Sequence, residues 1–153
     1  TISGDNALTI DDPYVYVYWM QIYIDPDAND EAAIYVNPTD NNGNTTGVRI
    51  YGSIVRGNAA ESSVRFDGIR PKGGSLDTIY IVNNLIYDFA REYSKGIEAE
   101  ETAQDVYIIN NTICNCYNGS KKLNGSNYCG TDCRILRRFA GCNFGNCRYN
   151  ENR

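Results

Sequence analysis

The chain has no histidine among its 153 residues. That excludes Ser-His-Asp and Cys-His nucleophilic systems and any His-ligated metal site within the chain, and leaves carboxylates, Lys or Tyr for acid–base work. Long apolar runs are missing too. The longest, Tyr14 to Ile24, falls short of the roughly 20 residues a membrane span requires, and it alternates as a strand does. No helical period appears before residue 120, and there is no P-loop, dinucleotide-binding glycine pattern or nucleic-acid recognition helix. Nothing in the sequence names a reaction. Residue 1 is Thr with no charged-then-apolar leader ahead of it, so a processed form, an excised fragment or an incompletely read chain is expected.

What is present is a repeat. Val15-Tyr-Val-Tyr-Trp-Met-Gln-Ile22, Val48-Arg-Ile-Tyr-Gly-Ser-Ile-Val55, Ile79-Tyr-Ile-Val-Asn-Asn-Leu-Ile86 and Val106-Tyr-Ile-Ile-Asn-Asn-Thr-Ile113 start 33, 31 and 27 residues apart. A fixed period of this size means stacked coils. Val15/Val48/Ile79/Val106 and Val17/Ile50/Ile81/Ile108 point one way and supply the core. Ile22/Val55/Ile86/Ile113 add a second inward position after a turn. Ala33–Val36, Gly68–Arg70 and Gly96–Glu98 mark a third short strand in the first three coils. Three short strands per coil with β-branched residues inside suit a solenoid of parallel sheets.

The stretches Ile79-Tyr-Ile-Val-Asn-Asn-Leu-Ile-Tyr87 and Val106-Tyr-Ile-Ile-Asn-Asn-Thr-Ile-Cys114 resemble the repeats of right-handed parallel β-helix proteins, the architecture of pectate lyases, tailspikes and many surface proteins. The likeness covers roughly residues 8–119. The expected fold is therefore all-β: a right-handed parallel β-helix of about four coils over residues 1–119, followed by an irregular Cys-rich basic tail, 120–153, that suits a cap. Asn84 and Asn111 are expected at a turn whose backbone conformation Asn tolerates, with their amides bonding up the column. Ser53 and Met20 at the equivalent positions leave that ladder two rungs.

Charge divides along the same boundary. Residues 1–119 hold 7 Lys and Arg against 17 Asp and Glu, while residues 120–153 hold 7 against 2. Docking of the tail onto the acidic body accounts for this better than nucleic-acid binding, for which no module is present. Cysteine occurs only at Cys114, Cys116, Cys129, Cys133, Cys142 and Cys147, and Asn-x-Ser/Thr sequons occur at Asn44, Asn110, Asn118 and Asn124. Both features lean towards an extracellular, cell-surface or virion-surface setting. The cysteines suit disulfides, free thiols or a four-Cys zinc site, whose usual paired C-x2-C knuckles are lacking.

The outward first-strand positions are aromatic where a solvated face would be polar. Tyr16, Arg49, Tyr80 and Tyr107 form one column and Tyr18, Tyr51, Val82 and Ile109 the next. Such a patch marks an interface with a protein partner or another copy, a platform for sugar rings, or a seat for the tail. Aligning Ile69 with Ile97 sets Arg70 over Glu98, Lys72 over Glu100 and Asp67 over Lys95, expected as cross-strand pairs worth roughly 0.2–1 kcal/mol each. Glu98 and Glu100 share a face and could in principle serve glycoside hydrolysis, but cross-strand pairing is the sufficient reading and no catalytic residue is assigned. Asp25, Asp27 and Asn29 mimic the first ligands of a calcium loop, but Asp30 and Val36 stand where Gly and Glu are needed, and a solvated acidic loop is the plainer reading. The favoured function is a non-catalytic structural or binding segment of a secreted or particle-surface protein such as a fibre, filament, adhesin or virion component. It would associate with copies of itself, a neighbouring surface protein or a polysaccharide. A polysaccharide lyase or glycoside hydrolase module is the alternative.

Overall fold

The computed structural model describes residues 6–25, 31–37, 44–60, 64–71, 75–99 and 106–122. Cys129, Cys133, Cys142, Cys147, Asp27, Asn29, Lys72, Glu100 and nearly all of the proposed tail lie outside them.

Fifteen strands occur in the described residues. The chain first forms β1 (Asn6–Ile10), β2 (Tyr16–Tyr18), β3 (Gln21–Tyr23) and β4 (Glu31–Val36). Next come β5 (Asn44–Thr46), β6 (Arg49–Tyr51), β7 (Ile54–Arg56) and β8 (Phe66–Pro71). β9 (Ser75–Asp77), β10 (Ile79–Val82), β11 (Leu85–Tyr87) and β12 (Lys95–Ala99) repeat the pattern. β13 (Val106–Ile109), β14 (Thr112–Cys114) and β15 (Asn118–Lys122) close it. Three sheets result, ordered β2-β6-β10-β13, β3-β7-β11-β14 and β1-β4-β8-β12-β15, plus a small pair β5-β9. Every strand pairing is parallel. Apart from β5 and β9, successive strands visit the three sheets in rotation, which is the topology of a β-solenoid of several coils.

Sequence alternation accounts for the first two sheets. Val17, Ile50, Ile81 and Ile108 stack in register and are buried, as are Val55, Ile86 and Ile113 across the turn. Each such aliphatic side chain withdrawn from water stabilises the fold by about 1.5–3 kcal/mol. The third sheet contains the three expected strands, with Ile34, Ile69 and Ile97 in one column. It also contains two strands that local composition does not announce. β1 pairs with β4, and β15 carries strand pairing to Lys122, beyond the turn-like composition that begins after Gly119.

Each two-residue turn between the first and second sheets has a fixed division of labour. Its first residue takes a left-handed conformation: Trp19 at φ 55°, Gly52 at 64°, Asn83 at 57° and Asn110 at 51°. Its second residue is buried at Ser53, Asn84 and Asn111, while Met20 in the first turn is exposed. The strained positions are therefore Asn83 and Asn110, one residue before the pair that the sequence reading assigned to them. Asn84 and Asn111 form the buried ladder. Asn84 Nδ2 donates to Asn111 Oδ1 at 2.9 Å and to Ile50 O at 3.0 Å, and Asn111 Nδ2 donates to Ile81 O at 2.8 Å. Ser53 extends the ladder: its N–H donates to Asn84 Oδ1 at 2.9 Å, and its hydroxyl oxygen accepts from Met20 N at 3.2 Å. Three rungs thus stand where two were expected, because a hydroxyl replaces the amide at Ser53.

Glycines hold the third sheet close to the core. A Cβ on Gly68 would stand 2.3 Å from Gly96 O, and one on Gly96 would stand 2.8 Å from Gly119 O. Phe66 and Phe89 fill the adjoining corner with ring centroids 5.4 Å apart.

Candidate binding surface

Parallel register brings the predicted residues together. Tyr16, Arg49, Tyr80 and Tyr107 occupy one column of the first sheet, and Tyr18, Tyr51, Val82 and Ile109 lie two residues on. The Arg49 guanidinium carbon lies 5.3 Å from the Tyr16 ring centroid and 5.5 Å from that of Tyr80. Tyr80 in turn stacks on Tyr107 at 4.8 Å with the planes 13° apart. Tyr18 and Trp19 both meet Tyr51 edge-on, at 5.9 and 5.6 Å. Cation–π contacts at exposed sites contribute about 0.5–1 kcal/mol each, so they favour this alignment of the rings modestly. Arg49 itself remains exposed.

A second column was not foreseen. Tyr23, Arg56 and Tyr87 align on the second sheet, and the Arg56 guanidinium carbon lies 5.7 Å from both rings. These residues follow Tyr16, Arg49 and Tyr80 by seven positions each, and that shared offset was the available sequence signal. The two columns differ in charge. Arg56 Nε pairs with Asp88 Oδ2 at 3.2 Å, whereas among the described residues Arg49 has aromatic partners only.

Between the rings lies an open depression of about 540 Å³, lined by Tyr18, Arg49, Ile50, Tyr51, Tyr80 and Val82. Its walls are mainly aromatic and apolar, with one cation and the Tyr hydroxyls as polar groups. Planar faces beside a guanidinium can stack on a flat or ring-shaped group and bond to an acceptor on it.

The charges of the third sheet meet across strands as expected, Arg70 with Glu98 and Asp67 with Lys95, but they do so inside the protein. Asp67, Arg70, Lys95 and Glu98 are all buried. The register itself is as expected, and Lys95 N donates to Asp67 Oδ1 at 2.7 Å. Lys95 Nζ meets Glu98 Oε1 at 2.7 Å and Arg65 meets Glu98 Oε2 at 2.9 Å, with Arg70 Nε at 3.7 Å from that same oxygen. Burial, then a hydrogen bond with Glu98, pushes the Asp67 carboxyl up to about 7. Burial also works against ionised Glu98, but the Asp67 hydrogen bond and the Lys95 and Arg65 charges outweigh it and hold Glu98 down at about 2. Buried ion clusters organise a fold more than they stabilise it, since desolvation offsets much of the attraction. Glu98 is thus tied into this cluster, while Glu100, its proposed catalytic partner, lies outside the described residues.

Asp25 is exposed and accepts from Asn58 Nδ2 at 2.8 Å. Among the described residues no three His, Cys, Asp or Glu side chains gather as a metal site. Cys114 and Cys116 are half-buried on and just beyond β14, with Cys116 Sγ 3.3 Å from Cys114 O. No helix among the described residues is long and apolar enough to cross a membrane. Comparison of the chain with protein-family models, curated proteins and solved structures gives no match.

Proposed function

We propose that this chain is a non-catalytic binding or structural segment of a right-handed parallel β-helix protein, secreted or displayed on a particle surface, and that it works through its aromatic sheet face. One observation carries the reading: Arg49 lies exposed between Tyr16 and Tyr80 beside an open aromatic depression. Aligned rings with a cation that has no acid beside it among the described residues suit contact with a surface, and lateral packing against a copy or a neighbouring surface protein would cover them. Right-handedness follows from the general preference of parallel crossover connections.

The test compares wild type with the triple variant Tyr16→Ser, Tyr80→Ser, Tyr107→Ser by size-exclusion chromatography and electron microscopy. Wild type is expected to associate with itself or with a surface partner, and the variant to lose that association while keeping its β-rich circular dichroism spectrum. Unchanged assembly of the variant together with cleavage of pectin or alginate by wild type would replace the scaffold reading with a polysaccharide lyase or hydrolase.

A further inference from the structure

Of the four Asn-x-Ser/Thr sequons, Asn124 lies outside the described residues, Asn44 lies in β5, and Asn118 is half-buried in β15, where its N–H donates to Ser94 O at 3.0 Å. Among the described residues Asn110 is the sequon that falls on a turn between strands. It is exposed, with φ at 51°, in the two-residue turn from β13 to β14, and Thr112 follows as the first residue of β14. The turn itself sets this exposure. Asn83 holds the same place one coil earlier, where β10 is flanked by β6 and β13, and it too is exposed.

The side chains at this corner are already sorted into an inner and an outer row. Asn111 is fully buried in the inner ladder and bonds to Asn84. In the outer row Asn110 Nδ2 donates to Asn83 Oδ1, and Asn83 Nδ2 donates to the Tyr51 hydroxyl at 2.8 Å. A primary amide has two N–H groups, and among the described residues Asn110 uses one of them, on Asn83. A sugar linked at Nδ2 replaces one N–H and leaves one. That one is all the contact with Asn83 needs.

We propose that Asn110 is an N-glycosylation site whose glycan stands at the edge of the aromatic sheet face. The co-substrate is a lipid-pyrophosphate-linked oligosaccharide, transferred by an enzyme of the exporting cell. Nδ2 bonds to the anomeric carbon as the bond from that carbon to the pyrophosphate oxygen breaks. The lipid pyrophosphate leaves with the electron pair, and the transferase takes one amide proton. Thr112 supplies the hydroxyl that a sequon requires two residues on. Asn83 lacks it, because Leu85 stands in register with Thr112. A glycan is bulky and needs a surface position, which the turn provides. It borders Tyr107 and Ile109 of β13, while Arg49 on β6 lies two strands away, about 10 Å at the usual spacing of adjacent strands. The point of attachment is therefore clear of the Arg49 depression.

The proposal rests on the reading of the protein as exported, and the experiment keeps the two apart. The full chain is sent through a eukaryotic secretory pathway behind a supplied leader, so the result bears on the site alone; failure of the export reading would show instead as native chain kept inside its source cell. Secreted, folded protein is digested and mass-analysed before and after peptide N-glycosidase in heavy-oxygen water. Asn110 is expected to carry a glycan, read as its conversion to labelled aspartate. Thr112→Val should abolish the label and Thr112→Ser should retain it. Leu85→Thr gives Asn83 the missing hydroxyl in the same turn, and a second glycan should appear there. Bare Asn110 in the secreted wild type overturns the proposal, as does a glycan confined to misfolded, retained chain. A label that survives Thr112→Val, or an Asn83 that stays bare in secreted Leu85→Thr, overturns it as well.

Discussion

Asp67 and Glu98, on adjacent strands of the third sheet, are buried carboxyls joined by a hydrogen bond that raises the pKa of the first and lowers that of the second. Arg65 and Arg70 stand 3.7 and 3.8 Å from Asp67 Oδ2, too far to donate to it, and no other donor reaches that oxygen. The lack of a donor at that buried oxygen favours the neutral form of Asp67, while Lys95 and Arg65 favour ionised Glu98.

The pH dependence of stability follows from that division. Asp67 moves from its ordinary 3.8 to about 7, so between these values the folded state binds more protons than the unfolded one and stability falls as pH rises. Glu98 acts on the other flank. With its carboxylate moved from 4.5 to about 2, it contributes stability that is complete above about 4.5 and is lost as pH falls towards 2. Asp67→Asn retains a neutral side chain that can donate to Glu98 and accept from Lys95 N. Urea midpoints measured from pH 4.5 to 8 should decline for wild type up to about pH 7 and stay level for the variant, which gains on the order of a few kcal/mol over wild type at pH 8.

The paired asparagines predict unequal responses to the same change. Asn84→Ala removes an amide that serves Ser53 N, Ile50 O and Asn111 Oδ1. Leaving buried groups unsatisfied costs about 1–3 kcal/mol each, so a loss of at least ~2 kcal/mol is expected, without rescue by Asn84→Leu. Asn83 is exposed at φ 57°. Asn83→Gly should be neutral to slightly stabilising, and Asn83→Ala should cost only about 1 kcal/mol. Thermal melts of the four variants separate the two roles.

Glycine substitutions should rank by what the new methyl meets. At Gly68 it meets the Gly96 carbonyl at 2.3 Å, and backbone cannot yield, so Gly68→Ala should prevent stable folding. At Gly52 it meets the Trp19 ring at 2.6 Å under a φ of 64°. That ring is exposed and can swing away, so Gly52→Ala should cost about 1–2 kcal/mol from backbone strain and shift the fluorescence of the only Trp in the chain. Gly119, with nothing within 4 Å of a Cβ, should accept Ala.

Legibility in the sequence tracked the strength of the local constraint. The inward columns were plain because β-branched residues recur at the same offsets in four segments, and register followed from them: Tyr16 over Arg49 over Tyr80 over Tyr107. β1 and β15 were not, since Asn6-Ala-Leu-Thr-Ile10 and Asn118-Gly-Ser-Lys-Lys122 gain their strand character from β4 and β12 and not from their own composition. The turn was placed one residue late because Asn-Asn offers two candidates and only three-dimensional packing assigns the inward one. Burial of Asp67, Arg70, Lys95 and Glu98 was illegible for a related reason: opposite charges in register look the same in sequence whether water or protein covers them. The Arg56 column was there to be found, but its seven-residue offset matters only once the turn is known to carry the first sheet's spacing onto the second.

The two arginine columns give the last prediction, because they share their aromatic contacts and differ in their acid. Arg49→Ala loses two exposed ring contacts, worth about 1 kcal/mol together after solvent screening, and should leave the melting temperature nearly unchanged. Arg56→Ala loses equivalent ring contacts and also leaves Asp88 with Asn115 Nδ2 at 2.7 Å as its remaining side-chain partner. Its side chain is 54% exposed, so the ion pair adds only a few tenths of a kcal/mol. Stability will therefore hardly distinguish the two variants. Association will: among the described residues Arg49 has no acid beside it, so Arg49→Ala should weaken binding to the sheet-face partner at least tenfold while Arg56→Ala weakens it little. Arg49→Lys should fail to restore it, since an ammonium lacks the planar surface that lies between Tyr16 and Tyr80. Sedimentation of the three variants beside wild type reads this directly, and equal effects of Arg49→Ala and Arg56→Ala would remove the first column from its proposed role.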